Sequence, residues 1–197
     1  MIVIGLDLAG VEKRPTGFCL LDGLQADTCD IYADSEILTK VQAASPQVVA
    51  IDAPLTLPPG RKNIEEKTGV HLREADRELL RRHIRFFPIT LGPMRQLTMR
   101  GMKLKGIMEG MGFKAIEVYP GGAQDVLGIP RKQQGLDQLR VGLEGLGLKG
   151  LGAGMSDHEL DAVTCAYVGK LFLEGRSVTY GAPEVGIVMP PDKATCP

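Results

Sequence analysis

Met1-Ile2-Val3-Ile4-Gly5-Leu6-Asp7-Leu8-Ala9-Gly10 is a nearly unbroken apolar run that ends in a turn signal and carries one acid, Asp7, at its far end. Such a run reads as a strand buried on both faces. Working outward, Thr16 to Leu21 and Cys29 to Ala33 are the next strand candidates, linked by short polar stretches that include Asp22-Gly23, which predicts an antiparallel meander. Ser35 to Ala44 has helical spacing and stops at Ser45-Pro46, because the residue before a proline avoids the helical region. Val48 to Asp52 is a fourth strand and Ala115 to Tyr119 a fifth, which Pro120-Gly121-Gly122 is expected to stop. Between them, Pro58-Pro59-Gly60 reads as a loop, with helical stretches from Arg73 to His83 and from Leu91 to Met111. Leu136 to Leu146 and Asp157 to Leu173 close the helical pattern, and the tail after Gly175 reads as turns on the surface.

Strands reached by helical crossovers pair in parallel. The expected architecture is therefore α/β, a mixed five-stranded sheet with a three-strand meander, two further parallel strands and helices on both faces. With 197 residues, 44% of them apolar and 24% charged, the chain is read as a single domain, residues 1–197, with a basic helical insertion at 58–112. At this length a full core needs no disulfide or structural metal. Cys19, Cys29, Cys165 and Cys196 lie far apart and form no metal-ligand pair, so they read as scattered thiols. The start of the chain has no basic leader and its apolar runs are too short for a membrane span, from which a cytoplasmic location is expected. No tryptophan and 5% aromatic residues argue against broad base-stacking platforms, so a bound nucleic acid is expected to be held mainly by its phosphates.

Asp7 and Asp52 close the first and fourth strands. If these strands are parallel neighbours, the two carboxylates emerge side by side at the sheet end where open α/β folds place their sites. Asp161 lies on the helical sector shared by Cys165, Val168 and Phe172, an acid on a buried stripe, and Asp157 sits one turn earlier on that sector. Like charges at that spacing repel. A divalent cation bound by hard oxygen ligands, Mg²⁺ or Mn²⁺, would relieve Asp7, Asp52 and Asp161 together, with Asp157 as a further ligand. Glu117, midway along the fifth strand, reads either as one more ligand or as a strand acid that faces outward or pairs with an arginine. Ser156-Asp157-His158-Glu159 is a capping box that starts the last helix. Here Asp157 and Glu159 read equally well as first-turn acids, and His158 as a water-orienting group or a helix-end residue.

Near-neutral overall charge, −1, hides a strong asymmetry: Arg61 to Lys105 is +7 and the remainder −8. That points to an anionic partner. Arg73, Arg77 and Arg81 recur every four residues and are expected to line one helix face as a phosphate-tracking, substrate-binding surface. Met94, Met99, Met102, Met108 and Met111 mark a soft surface that could pair two copies as a homodimer.

Five short motifs in order carry a resemblance. Gly5-Leu6-Asp7-Leu8-Ala9-Gly10 with Thr16-Gly17, Ile51-Asp52-Ala53-Pro54-Leu55, Leu72-Arg73-Glu74-Ala75-Asp76-Arg77, Glu117-Val118-Tyr119-Pro120 and His158-Glu159-Leu160-Asp161-Ala162 resemble a domain-of-unknown-function family described as predicted RNase H-like nucleases. The ending Leu160-Asp161-Ala162 is similar to that of Holliday-junction resolvases. The resemblance implies an RNase H-like fold and a two-metal nuclease site in which Asp7, Asp52 and Asp161 hold the metals, with nucleic acid as partner. His158 stands where resolvases carry a second acid. Two other readings accompany this one. Asp7-Leu8-Ala9-Gly10 with Thr16-Gly17 also resembles the first phosphate loop of actin-like and sugar-kinase ATPases, and the basic segment alone would suit a non-catalytic nucleic-acid-binding module.

Overall fold

The computed structural model describes residues 1–192; Cys196 lies outside them. The elements are β1 (Ile2–Asp7), β2 (Thr16–Asp22), β3 (Gln25–Ile31), α1 (Asp34–Ala44), β4 (Val48–Asp52), α2 (Glu74–Arg81), α3 (Gly92–Gly110), β5 (Ala115–Val118), α4 (Pro120–Leu127), a 3-10 turn (Lys132–Gln134), α5 (Leu136–Gly145), α6 (Asp157–Leu173), β6 (Val178–Tyr180) and β7 (Ile187–Met189). The sheet order is β3-β2-β1-β4-β5-β7-β6. As expected, β1 and β2 pair antiparallel, as do β2 and β3, while β1-β4 and β4-β5 are parallel.

The sheet has seven strands rather than five. The tail after Gly175 does not lie loose on the surface: β7 extends the sheet parallel to β5, and β6 folds back antiparallel on β7. These strands have three residues each, too short to show a two-residue period. A second departure is at Pro120, which does not merely stop β5. It occupies the first turn of α4, where a missing amide hydrogen costs nothing and the fixed φ of proline is already helical.

Alternate residues of the central strands feed two cores. Val3, Cys19, Val48, Ala50, Ile116 and Val118 pack with α6 on one face. Ile4, Leu6, Phe18, Val49, Ile51 and Ala115 pack on the other with α1 and with Leu104 and Met108 of α3. On α6 the expected stripe is wider than a stripe: Leu160 to Ala166 is buried without a break, because the sheet covers one side while α4 and α5 cover another.

Two glycines set how closely α6 approaches. A methyl group on Gly17 would lie 2.0 Å from the His158 carbonyl oxygen, and one on Gly5 2.0 Å from that of Ala162. With no side chain at either position, the first turns of α6 rest directly on β1 and β2. That contact carries Asp157, His158 and Asp161 over the end of the sheet. Among the described residues no helix is long and apolar enough to cross a membrane.

Candidate active site

Asp7 and Asp52 are register partners at the ends of adjacent parallel strands, so their side chains project from the same face, the α6 face. The two carboxyls thus stand side by side at the end of the sheet. Burial, then the charges of Asp7 and Asp161, push the Asp52 carboxyl well above its ordinary range. Asp161 is buried, and burial followed by the Asp7 charge raises its pKa too, although Lys132 and Gln124 pull the other way. The three acids expected to converge do so.

Each is held by neighbours from other elements. His158 Nδ1 lies 2.7 Å from Asp7 Oδ2. That hydrogen bond, with the charges of Asp7 and Asp157, lifts the imidazole above its usual 6.5 despite partial burial. Gln124, on α4, donates from Nε2 to Asp161 Oδ1 at 2.8 Å and to Thr164 Oγ1 at 3.1 Å. The Lys132 ammonium bridges Asp157 Oδ2 and Asp161 Oδ2, both at 2.9 Å. Burial works against this ammonium, but Asp161 and Asp157 outweigh it and raise its pKa; in return Lys132 holds Asp157 below its ordinary value against the effect of burial. The Lys132 ammonium thus sits between the two acids whose spacing the sequence sets one turn apart. The capping box at the start of α6 is complete: Ser156 Oγ accepts from the Glu159 amide at 3.1 Å, and Glu159 Oε2 accepts from the Ser156 amide at 2.8 Å.

Glu117 is not brought into this group. It is level with Ile51, one residue short of Asp52, and a one-residue step turns a strand side chain to the opposite face. There its Oε2 accepts from Arg73 Nη1 and from the Leu55 amide, each at 2.7 Å. Of the two readings offered for Glu117, the structure places it in the arginine pair. For the same reason Arg73 does not join Arg77 and Arg81 on one exposed face. Arg73 is buried at the entrance to α2, held by Asp76 (2.8 Å) as well as Glu117, while Arg77 and Arg81 are exposed and Arg81 is paired with Glu78. Other bases of the +7 segment are likewise engaged. Arg100 is buried against Asp34 at 2.8 Å and donates to the carbonyls of Ala9 and Tyr32. The methionines divide similarly: Met108 is core, whereas Met99 and Met111 face out.

Lys132 and Gln124 escaped the sequence reading. The signal for Gln124 was Pro120 read as a helix start, which puts Gln124 one turn in. For Lys132 there was none, since it reaches Asp161 from an isolated 3-10 turn. A pocket of about 310 Å³ opens beside the acids, lined by Asp52, Asp161, Lys132 and Gln124 and by apolar residues of the insertion. As the side chains stand, among the described residues no three acid, histidine or thiol groups form a cluster ready to hold a metal ion. The donor chemistry nonetheless suits a hard divalent cation. Asp7, Asp52 and Asp161 offer oxygen ligands, and burial together with the neighbouring acids makes two of them resist ionisation.

The fold is α/β, a mixed seven-stranded sheet with helices, and Asp7 and Asp52 stand at one end of it. The chain matches the model of the family described as "Protein of unknown function (DUF429)" over residues 5–185, and it belongs to that family. Among solved structures it is similar to Thermus thermophilus RuvC in complex with Holliday junction substrate, at 14% identity and a TM-score of 0.53, covering 89% of this chain and 96% of that one. Thermus thermophilus RuvC in a second structure gives 14% identity, a TM-score of 0.49 and coverage of 89% and 97%. No curated protein matches the sequence.

Proposed function

We propose that this protein hydrolyses phosphodiester bonds in nucleic acid, using Mg²⁺ or Mn²⁺ held by Asp7, Asp52 and Asp161. The observation that carries the reading is that Asp7 and Asp52 are register partners at the end of the sheet and Asp161 of the last helix lies over the same end, close enough to act on both charges. The RuvC-like fold supports it, since RuvC was solved with a Holliday junction substrate.

Asp7, Asp52 and Asp161 would hold the metal, which would supply a water nucleophile at neutral pH and charge stabilisation for the leaving oxygen. The chain's own residues do the rest. Gln124 fixes the rotamer of Asp161 through Oδ1, which leaves Oδ2 facing Lys132. His158 Nδ1 holds Asp7 Oδ2 at 2.7 Å, which orients that carboxylate toward the cation and makes His158 the group assigned to orient the attacking water. Lys132 is a partly exposed cation on a 3-10 turn. Its ammonium neutralises Asp157 and Asp161 in the free protein and is placed to meet a substrate phosphate when those acids are engaged. Glu117 and Arg73, paired with each other, line the same pocket and shape its floor.

The test is incubation with Mg²⁺ or Mn²⁺ and single-stranded, duplex, hybrid and branched nucleic acids, with Asp7→Asn in parallel. Cleavage of at least one substrate is expected, falling by about 10³-fold or more in Asp7→Asn, the scale of loss when a group acting only in the transition state is removed. A folded wild-type protein that cleaves none of them overturns the reading. Nucleic-acid affinity with a steep salt dependence but no cleavage would point instead to a binding module.

A further inference from the structure

Extending the nuclease reading above, on which it rests, we infer that the substrate presents an unpaired nucleotide whose base enters an aromatic groove leading away from the carboxylates. Three adjoining cavities form that groove. The 310 Å³ pocket beside Asp52 and Asp161 shares Phe86, Phe87, Tyr119, Arg131 and Gln133 with a wider recess of about 970 Å³. A third opening, past Arg131 and Gln133, brings in Arg85 and His83.

The lining matches a nucleotide in each of its parts. Phe86, Phe87 and Tyr119 offer ring faces in a protein that has few aromatic residues. Phe87 is 71% exposed, an apolar ring left in water at the mouth of a pocket, where a stacked base would cover it. Tyr119 has a fixed place: its hydroxyl donates to the Arg85 carbonyl at 2.5 Å, and the Arg131 guanidinium lies 5.8 Å over its ring, itself held by Asp125 at 2.8 Å. The Arg85 side chain is exposed and has no ion-pair partner among the described residues, which leaves it free for a phosphate. Gln133 likewise has an uncommitted amide that can read a base edge. His83 turns the chain through φ 57°, a left-handed conformation rare outside glycine, and so directs the 84–88 segment across the groove. A continuous duplex keeps its bases stacked inside and cannot fill an apolar pocket next to its own phosphate. An extruded, bulged or single-stranded nucleotide can.

The experiment measures binding without added metal, by fluorescence anisotropy, of a labelled single strand, the same sequence as duplex, and that duplex with one bulged nucleotide. Single-stranded and bulged probes are expected to bind at least tenfold more tightly than duplex at equal salt. Phe87→Ala should weaken those two by about tenfold, the usual loss of one stacked base, and leave duplex affinity unchanged. Since Phe87 is exposed, the variant keeps its fold. A 2-aminopurine at the bulge should be quenched by the wild type and not by Phe87→Ala. Equal affinity for all probes, or no effect of Phe87→Ala, overturns the inference. So does competition by a free 5′-mononucleotide as effective as the strand, which would assign the groove to small nucleotides. Cleavage that needs Asp7 but ignores both Phe87 and pairing sinks the base site alone, whereas Phe87-dependent binding without cleavage in Mg²⁺ or Mn²⁺ sinks the nuclease reading alone.

Discussion

Two groups of buried acids lie at the same end of the sheet, one strand apart, and they are treated in opposite ways. On one face, Glu117 and Asp76 share Arg73, whose guanidinium donates to both carboxylates at 2.7–2.8 Å, so each negative charge has a matched planar partner. On the other, Asp7, Asp52 and Asp161 share an imidazole and one lysine, and burial and their mutual charge drive two of the three toward the protonated form. Burial does not distinguish the groups; the supply of positive charge does. Both groups line the same pocket; the fully compensated one holds a loop in place, while the under-compensated one calls for a cation from outside.

The largest effect should come from breaking the compensated side. Arg73→Met leaves Asp76 and Glu117 buried without a counter-charge and is expected to cost about 3–5 kcal/mol, read as a lowered midpoint in urea unfolding. The matching change on the other side should have the opposite sign. Asp52→Asn removes a charge that its neighbours already resist and should stabilise the protein by about 0.5–2 kcal/mol at pH 8 while abolishing cleavage, a trade between stability and function. An equal loss of stability from the two substitutions would erase the contrast.

The pH dependence sharpens the same comparison. Asp52 and Asp161 have folded pKa values above the ordinary 3.8, and His158 above 6.5. Each therefore contributes stability that is fully present below its unfolded pKa and lost as the pH climbs through its folded one. Melting temperature should decline from the region just above pH 4 to beyond pH 7. In Asp52→Asn the carboxylate part of that decline should shrink and the part above pH 6.5 remain. Added Mg²⁺ should oppose the decline in wild type, through preferential binding to the folded state, and do so less in Asp52→Asn.

How much of this was legible beforehand follows from how local each signal is. β4 and α6 were readable to the residue, because an apolar run ending in an acid and a capping box are marks written within one segment. That Asp7 meets Asp52 followed from the crossover rule. Glu117 was ambiguous because its face depends on register with β4, which its own segment does not reveal. β6 and β7 were missed since three residues cannot display a period. Lys132 was missed for a stronger reason: nothing near it in the chain marks a residue that will reach an acid two helices away.

The smallest effect concerns that lysine, and it tests what kind of cation each cluster was given. Arg73 has 7% of its side chain exposed and holds its carboxylates through a planar fork; Lys132 has 28% exposed and reaches Asp157 and Asp161 from a one-turn helix with a single flexible stem. Lysine binds as a point charge and gives up its partners more readily. Lys132→Met should therefore cost about 1 kcal/mol or less, since a partly exposed pair is screened by solvent, and the loss should be recovered by Mg²⁺, which takes over the same acids. In the variant the Mg²⁺-dependent rise in melting temperature should exceed that of the wild type, because the divalent cation no longer competes with an ammonium. A fall of several kcal/mol that Mg²⁺ does not restore would show that Lys132 is a second Arg73, a structural counter-ion, and would remove the distinction between the two sides of the sheet.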